Sequence, residues 1–161
     1  MRLFAQLPHG ERSIAADGDV VGSGIAACAT FALVTQATSA AAAAANDWAT
    51  LRGNLDAVLS ALQSAAPQTK IVIGTYDNAY RTCNLAVGGA ETETLVSQYL
   101  EGGGSFTKGL NDVIREVAAA HGVPVAGLYG TLGPDDWAAD CDVPSASGQD
   151  KVADVFAAAM N

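Results

Sequence analysis

The sequence lacks both a long apolar run and an excess of basic residues. No apolar segment approaches the roughly 20 residues of a membrane span, because polar residues interrupt the alanine-rich stretch 25–46. The chain carries 8 Lys and Arg against 17 Asp and Glu, which gives a formal net charge of −9. Nucleic acids and anionic membranes are bound through cationic side chains, so this balance argues against both partners.

Aromatic residues are also scarce, at 6% of a chain that is half apolar and rich in alanine. Alanine buries little area, so a few large side chains must supply much of the core. The 161 residues fit one domain, which we take as 1–161 with a poorly defined segment over 1–45. Arg2 is followed by no apolar signal-peptide core, so the sequence leaves localisation open; a fragment would give the same pattern.

Metal-binding and cofactor-binding motifs are missing as well. Cys28, Cys83 and Cys141 are odd in number and widely spaced, which excludes a zinc knuckle and a Cys-x-x-Cys motif. The pair Asp135-Asp136 is typical of a solvated turn or a helix cap, and a metal would need more ligands than are visible there. We therefore expect no metal and no cofactor.

What is present is an alternation of strands and helices. Apolar periodicity predicts strands over 13–16, 70–76 and 123–128, and helices over 46–65, 91–100, 106–120 and 147–160. Asn46 or Asp47 can cap the first helix, and the alanine run 40–45 can extend it backwards. This order predicts an α/β fold with a parallel sheet covered by helices, and incomplete because only three strands are convincing.

The carboxyl ends of these strands are the place where a ligand would bind. The loop after the third strand carries the stretch Asp140–Gly148, ahead of the last helix. Cys83 and Cys141 both fall in loops predicted at this end of the sheet. A disulfide between them is one hypothesis, and two separate loop cysteines are the other.

Residues 51–160 resemble the carboxyl-terminal two-thirds of an SGNH/GDSL-type hydrolase. The resemblance is carried, in order, by four stretches: Leu51–Leu62, Lys70–Asp77, Leu110–Val125 and Asp140–Gly148. It implies a three-layer α/β/α sandwich with a flavodoxin-like parallel sheet and hydrolysis of carboxylic esters such as lipids or acylated sugars. It also implies a secreted or cell-envelope protein.

The resemblance assigns catalytic positions that this chain fills poorly. Asp140 takes the place of the family aspartate, although ahead of Pro144 it can equally cap a turn. Val143 replaces the histidine and cannot act as a general base. The oxyanion block matches Gly18 and Asp19 weakly, with the stretch Asn46-Asp47 as a rival, and no Gly-Asp-Ser nucleophile block occurs.

No other residue replaces the missing groups. His121 is predicted at a helix end on the opposite side of the sheet, His9 in an arm, and Ser23 in a loop without the flanking glycines of a nucleophile elbow. We therefore expect a degenerate, inactive hydrolase-like domain. The alternatives are a gene fragment or a non-catalytic α/β binding module that self-associates through a sheet edge near Ser13 or Lys70.

Overall fold

The computed structural model describes residues 2–6, 13–17, 41–83, 89–139, 141 and 143–161. The described strands are β1 Arg2–Gln6, β2 Ser13–Asp17, β3 Lys70–Gly74 and β4 Val125–Ala126. The described helices are α1 Ala41–Ala65, α2 Gly89–Glu101, α3 Leu110–Ala120 and α4 Ala146–Met160. Two single-turn 3-10 helices, Ala79–Arg81 and Pro134–Asp136, lie in the loops after β3 and β4.

The four strands form one mixed sheet in the order β2-β1-β3-β4. β1 pairs antiparallel with both β2 and β3, while β3 and β4 are parallel, with Ile73 opposite Val125. The predicted α/β class is confirmed, but only the β3–β4 pair is parallel. A short connection between β1 and β2 permits antiparallel pairing alone, because a parallel pair needs a long crossover.

Helices cover both faces of β3. Ile71 and Ile73 belong to the larger core cluster, together with α1 and α3 side chains such as Leu55 and Ile114. Val72 points the other way and packs in a second cluster with residues of α4. This alternation gives the three layers that the resemblance implies, and it explains why Ile71, Val72 and Ile73 are all apolar.

The start of α1 follows the backward extension that the alanine run 40–45 allows, whereas the start of α3 differs from the prediction. α1 begins at Ala41, because alanine favours helix strongly; Asn46 and Asp47 therefore lie inside the helix and do not cap it. α3 begins at Leu110 instead of 106. The preceding turn contains Gly102 and Gly104 at φ 78° and 58°, where a side chain would be strained.

The sheet order shows which of the two strands predicted at an exposed edge, near Ser13 and near Lys70, lies there. β2 is an edge strand, whereas β3 is paired on both sides. The expectation of an open edge near Lys70 is therefore wrong, because β1 covers it. Among the described helices, none combines the length and the apolarity that crossing a bilayer requires.

Candidate functional site

The segment 77–83, which follows β3, is the centre of a polar cluster at the carboxyl end of β3 and β4. The Asp77 carboxylate is almost fully buried and accepts backbone N–H bonds from Asn78, Gly130 and Leu132 at 2.8–2.9 Å. Arg81 lies 3.8 Å from the same carboxylate. Asp77 therefore fastens the loop after β4 to the loop after β3.

Two buried carboxamides complete the cluster. Asn78 donates to Ser97 Oγ (2.9 Å) and accepts from the Tyr80 N–H (3.0 Å). Asn111, which is fully buried in α3, accepts from the Tyr76 N–H at 2.8 Å and donates to the Tyr76 carbonyl at 2.9 Å. The Asn111 side chain therefore satisfies both backbone groups of the residue that follows the strand end.

Sequence reasoning missed these three residues. Asn111 shares the buried face of α3 with Ile114 and Ala118, three and seven positions further along. A polar side chain at an apolar position of a helix was the available signal, because buried amides need partners. Asp77 and Asn78 carried no comparable signal, since their partners lie on distant loops.

The loop after β4 holds a second buried carboxylate. Asp136 accepts bonds from the Gly133 N–H (2.7 Å), Ser147 Oγ (3.2 Å) and the Lys151 ammonium. The Lys151 hydrogen bond, followed by that of Gly133, holds the pKa of Asp136 below its usual value. The predicted cap is present here, but Asp136 is buried and not solvated.

The two loops are also joined covalently. Cys83 and Cys141 form a disulfide, with Cα atoms 6.0 Å apart and a sequence separation of 58. The Trp137 indole N–H donates to Thr82 Oγ1 at 2.8 Å beside this link. Of the two alternatives for these cysteines, the structure contains the disulfide.

The positions that the resemblance marked as catalytic do not assemble into a site within the described residues. Val143 is 47% exposed, and its backbone carbonyl accepts the Ala138 N–H at 2.9 Å. His121 caps the far end of α3 and bonds Asp56 at 2.8 Å, on the side of the sheet away from the polar cluster. The remaining candidates lie outside the described residues: Asp140, Gly18, Asp19, His9, Ser23 and Cys28.

The basic side chains that the structure describes are engaged by carboxylates or by a carbonyl. Five Lys and Arg side chains form ion pairs with carboxylates: Arg52, Arg81, Lys108, Arg115 and Lys151. Lys70 donates to the Met160 carbonyl. Within the described ranges, no group of three or more His, Cys, Asp or Glu side chains could hold a metal ion. The polar cluster therefore positions loops and presents no free cation to a substrate.

Comparison with known proteins gives one family. The model of the family Stage II sporulation protein E (SpoIIE) matches residues 9–104, more than half of the chain. The chain belongs to this family, whose domain is of the PP2C-like phosphatase class. No curated protein and no solved structure gives a match.

The match overturns the identification as an SGNH/GDSL hydrolase and, with it, the predicted carboxylic-ester activity. Three of the four stretches that carried that resemblance were amphipathic helices and a buried strand, and such patterns arise in any α/β protein. The most distinctive of them, Asp140–Gly148, lies beyond the matched residues. The oxyanion roles of Gly18 and Asp19 and the catalytic roles at Asp140 and Val143 came from that resemblance and are withdrawn with it.

Proposed function

We propose that this chain is a phosphatase-like domain that hydrolyses phosphate monoesters. The match to the SpoIIE family over residues 9–104 is the observation that carries the proposal. In this reaction water attacks phosphorus, the P–O bond to the alcohol breaks, and inorganic phosphate and the free alcohol are released.

Electrostatics sets a constraint on such a reaction here. A phosphate monoester dianion approaching a chain of net charge −9 is repelled unless cations neutralise it. The described basic side chains are engaged with carboxylates or a carbonyl. The described side chains also supply no group of three or more metal-ligating residues that could neutralise the phosphate through a bound ion.

Two aspartates of the matched segment, Asp17 and Asp19, are the candidate catalytic residues. Asp17 is the last residue of β2, and Asp19 follows two positions later in the sequence. Both lie within the family match, and a carboxylate is suited to orient an attacking water and to accept its proton. We propose that these two aspartates contribute to hydrolysis.

The test is phosphate release from p-nitrophenyl phosphate and from a phosphoserine peptide, by the whole chain, in buffer containing Mg²⁺. We expect turnover in the wild type and a loss of about 100-fold or more in Asp17→Asn and in Asp19→Asn. Asp154→Asn is the matched control, because Asp154 is an exposed α4 aspartate outside the family match. Wild-type protein that is folded by circular dichroism yet releases no phosphate would overturn the proposal.

A further inference from the structure

Residues 77–83 hold the loop after β4 at successive points along both segments. Asp77 binds the N–H groups of Gly130 and Leu132, and Thr82 accepts from Trp137. The Cys83–Cys141 disulfide is the next contact in this series. The hydrogen bonds hold the part of the loop nearer to β4, and the disulfide holds the part nearer to α4.

Backbone hydrogen bonds link the residues on either side of Cys141. We define the Cys141 turn as the described residues 137–139, 141 and 143–145. Its backbone bonds run from the Ala138 N–H to the Val143 carbonyl and from the Cys141 N–H to the Ala138 carbonyl, each at 2.9 Å. Cys141 itself has φ 60°, a left-handed conformation that side chains other than glycine rarely adopt.

We propose that the Cys83–Cys141 disulfide is a reversible clasp that holds the Cys141 turn against residues 77–83. In the oxidised chain the covalent link maintains the left-handed backbone at Cys141. Reduction removes that constraint and lets Cys141 relax to an ordinary conformation, which loosens the turn. The part of the loop held by Asp77 does not depend on the disulfide and stays in place.

The chemistry of the clasp is thiol–disulfide exchange. A dithiol reductant attacks one sulfur, passes through a mixed disulfide and becomes a cyclic disulfide. Its two electrons and two protons pass to Cys83 and Cys141, which become thiols. A low-molecular-weight disulfide reverses the reaction and leaves as two thiols. Both cysteines are half-buried, so a small reagent can reach them.

Amide hydrogen exchange of the whole chain, oxidised and then reduced with dithiothreitol, tests the proposal. We expect the Ala138 and Cys141 amides to exchange about tenfold faster or more after reduction, because their bonds belong to the turn. The Gly130 and Leu132 amides, which bind Asp77, should change by less than about twofold and so serve as an internal control. Uniform acceleration of all four amides, or no change at Cys141, would overturn the proposal.

Variants separate this disulfide from other thiol effects. Cys83→Ser should show the reduced exchange profile with and without dithiothreitol, whereas Cys28→Ser should keep the full redox response. If Cys83→Ser does not fold, reduced wild-type protein supplies the same comparison. Peptide mapping without reduction should find Cys83 linked to Cys141; three free thiols, or a link to Cys28, would contradict the clasp.

Discussion

Two groups of polar side chains in this molecule use similar chemistry at very different depths. The carboxyl-end anchors, Asp77, Asn78 and Asn111, are buried and bind backbone groups of the loops after β3 and β4. The Glu116 ion pairs, with Arg52 and Lys108, lie on the surface of the α1–α3 layer with side chains about two-fifths exposed or more.

The difference predicts unequal contributions to stability. A buried group that loses its partner bears the full free-energy cost of its desolvation. When an exposed ion pair is broken, water replaces the lost contacts, so little free energy is lost. The anchors therefore determine where the loops lie. The Glu116 pairs contribute little, although their two hydrogen bonds are at least as short as those of the anchors.

Replacement of the buried amide should have the largest effect. Asn111→Leu removes the two hydrogen bonds that Asn111 makes with the Tyr76 N–H and carbonyl beside the core, and we expect a loss of about 3 kcal/mol in the free energy of unfolding. Urea denaturation measures it. The matched control is Asn54→Leu at an exposed α1 position, which should change stability by less than about 0.5 kcal/mol. Equal losses in the two variants would show that burial at Asn111 does not matter.

Neutralising the loop-binding carboxylate should come next. In Asp77→Asn the new amide nitrogen faces one of the backbone donors, Gly130 N–H or Leu132 N–H, and cannot accept from it. We expect a loss of about 2 kcal/mol by urea denaturation, together with faster amide exchange at those two residues. Unchanged exchange at Gly130 and Leu132 would refute the anchoring role of Asp77.

Asp136 should make stability depend on pH in the acid range. Its pKa is lowered in the folded chain, chiefly by Lys151, so its ionised form stabilises the fold above the usual aspartate pKa. This contribution is lost as pH falls below about 3.8 and through the lower folded-state value. In Asp136→Asn the melting temperature should fall less steeply with decreasing pH over this range. In Asp135→Asn, a change at the exposed neighbouring residue, the melting temperature should fall with pH as it does in the wild type.

The exposed ion pairs should show the smallest effect. Glu116→Gln removes the charge that Arg52 and Lys108 share, and we expect a loss of at most about 1 kcal/mol that shrinks further at high salt. Urea denaturation at low and at high salt checks both parts. A loss as large as that of Asn111→Leu would remove the contrast between the two groups.

The sequence predicts the local part of this fold well. Continuous β-branched residues mark β3, and the stripe through Val113, Ile114 and Val117 marks α3, because periodicity reports which face is buried. β1 was missed, and the direction of β1 and β2 was not foreseen, since strand pairing depends on distant partners. The anchors were missed for the same reason, because the loop residues that bind Asp77, Gly130 and Leu132, lie more than 50 residues away in sequence.

The candidate site was predicted less well. Its position at the carboxyl end of β3 and β4 follows from general topology, and that position made a Cys83–Cys141 disulfide one of two alternatives. The assignment of a reaction failed because it relied on helix and strand phrases that many families share. The SpoIIE match depends instead on residues 9–104, which include the poorly defined segment up to residue 45.

A side-by-side comparison of two substrates tests the central claim most directly. The purified chain is assayed with p-nitrophenyl phosphate and with p-nitrophenyl acetate under the same conditions. A phosphatase-like domain of the SpoIIE family should hydrolyse the phosphate ester, with no acetate hydrolysis above that of an unrelated protein control. Hydrolysis of the acetate ester alone would contradict the account.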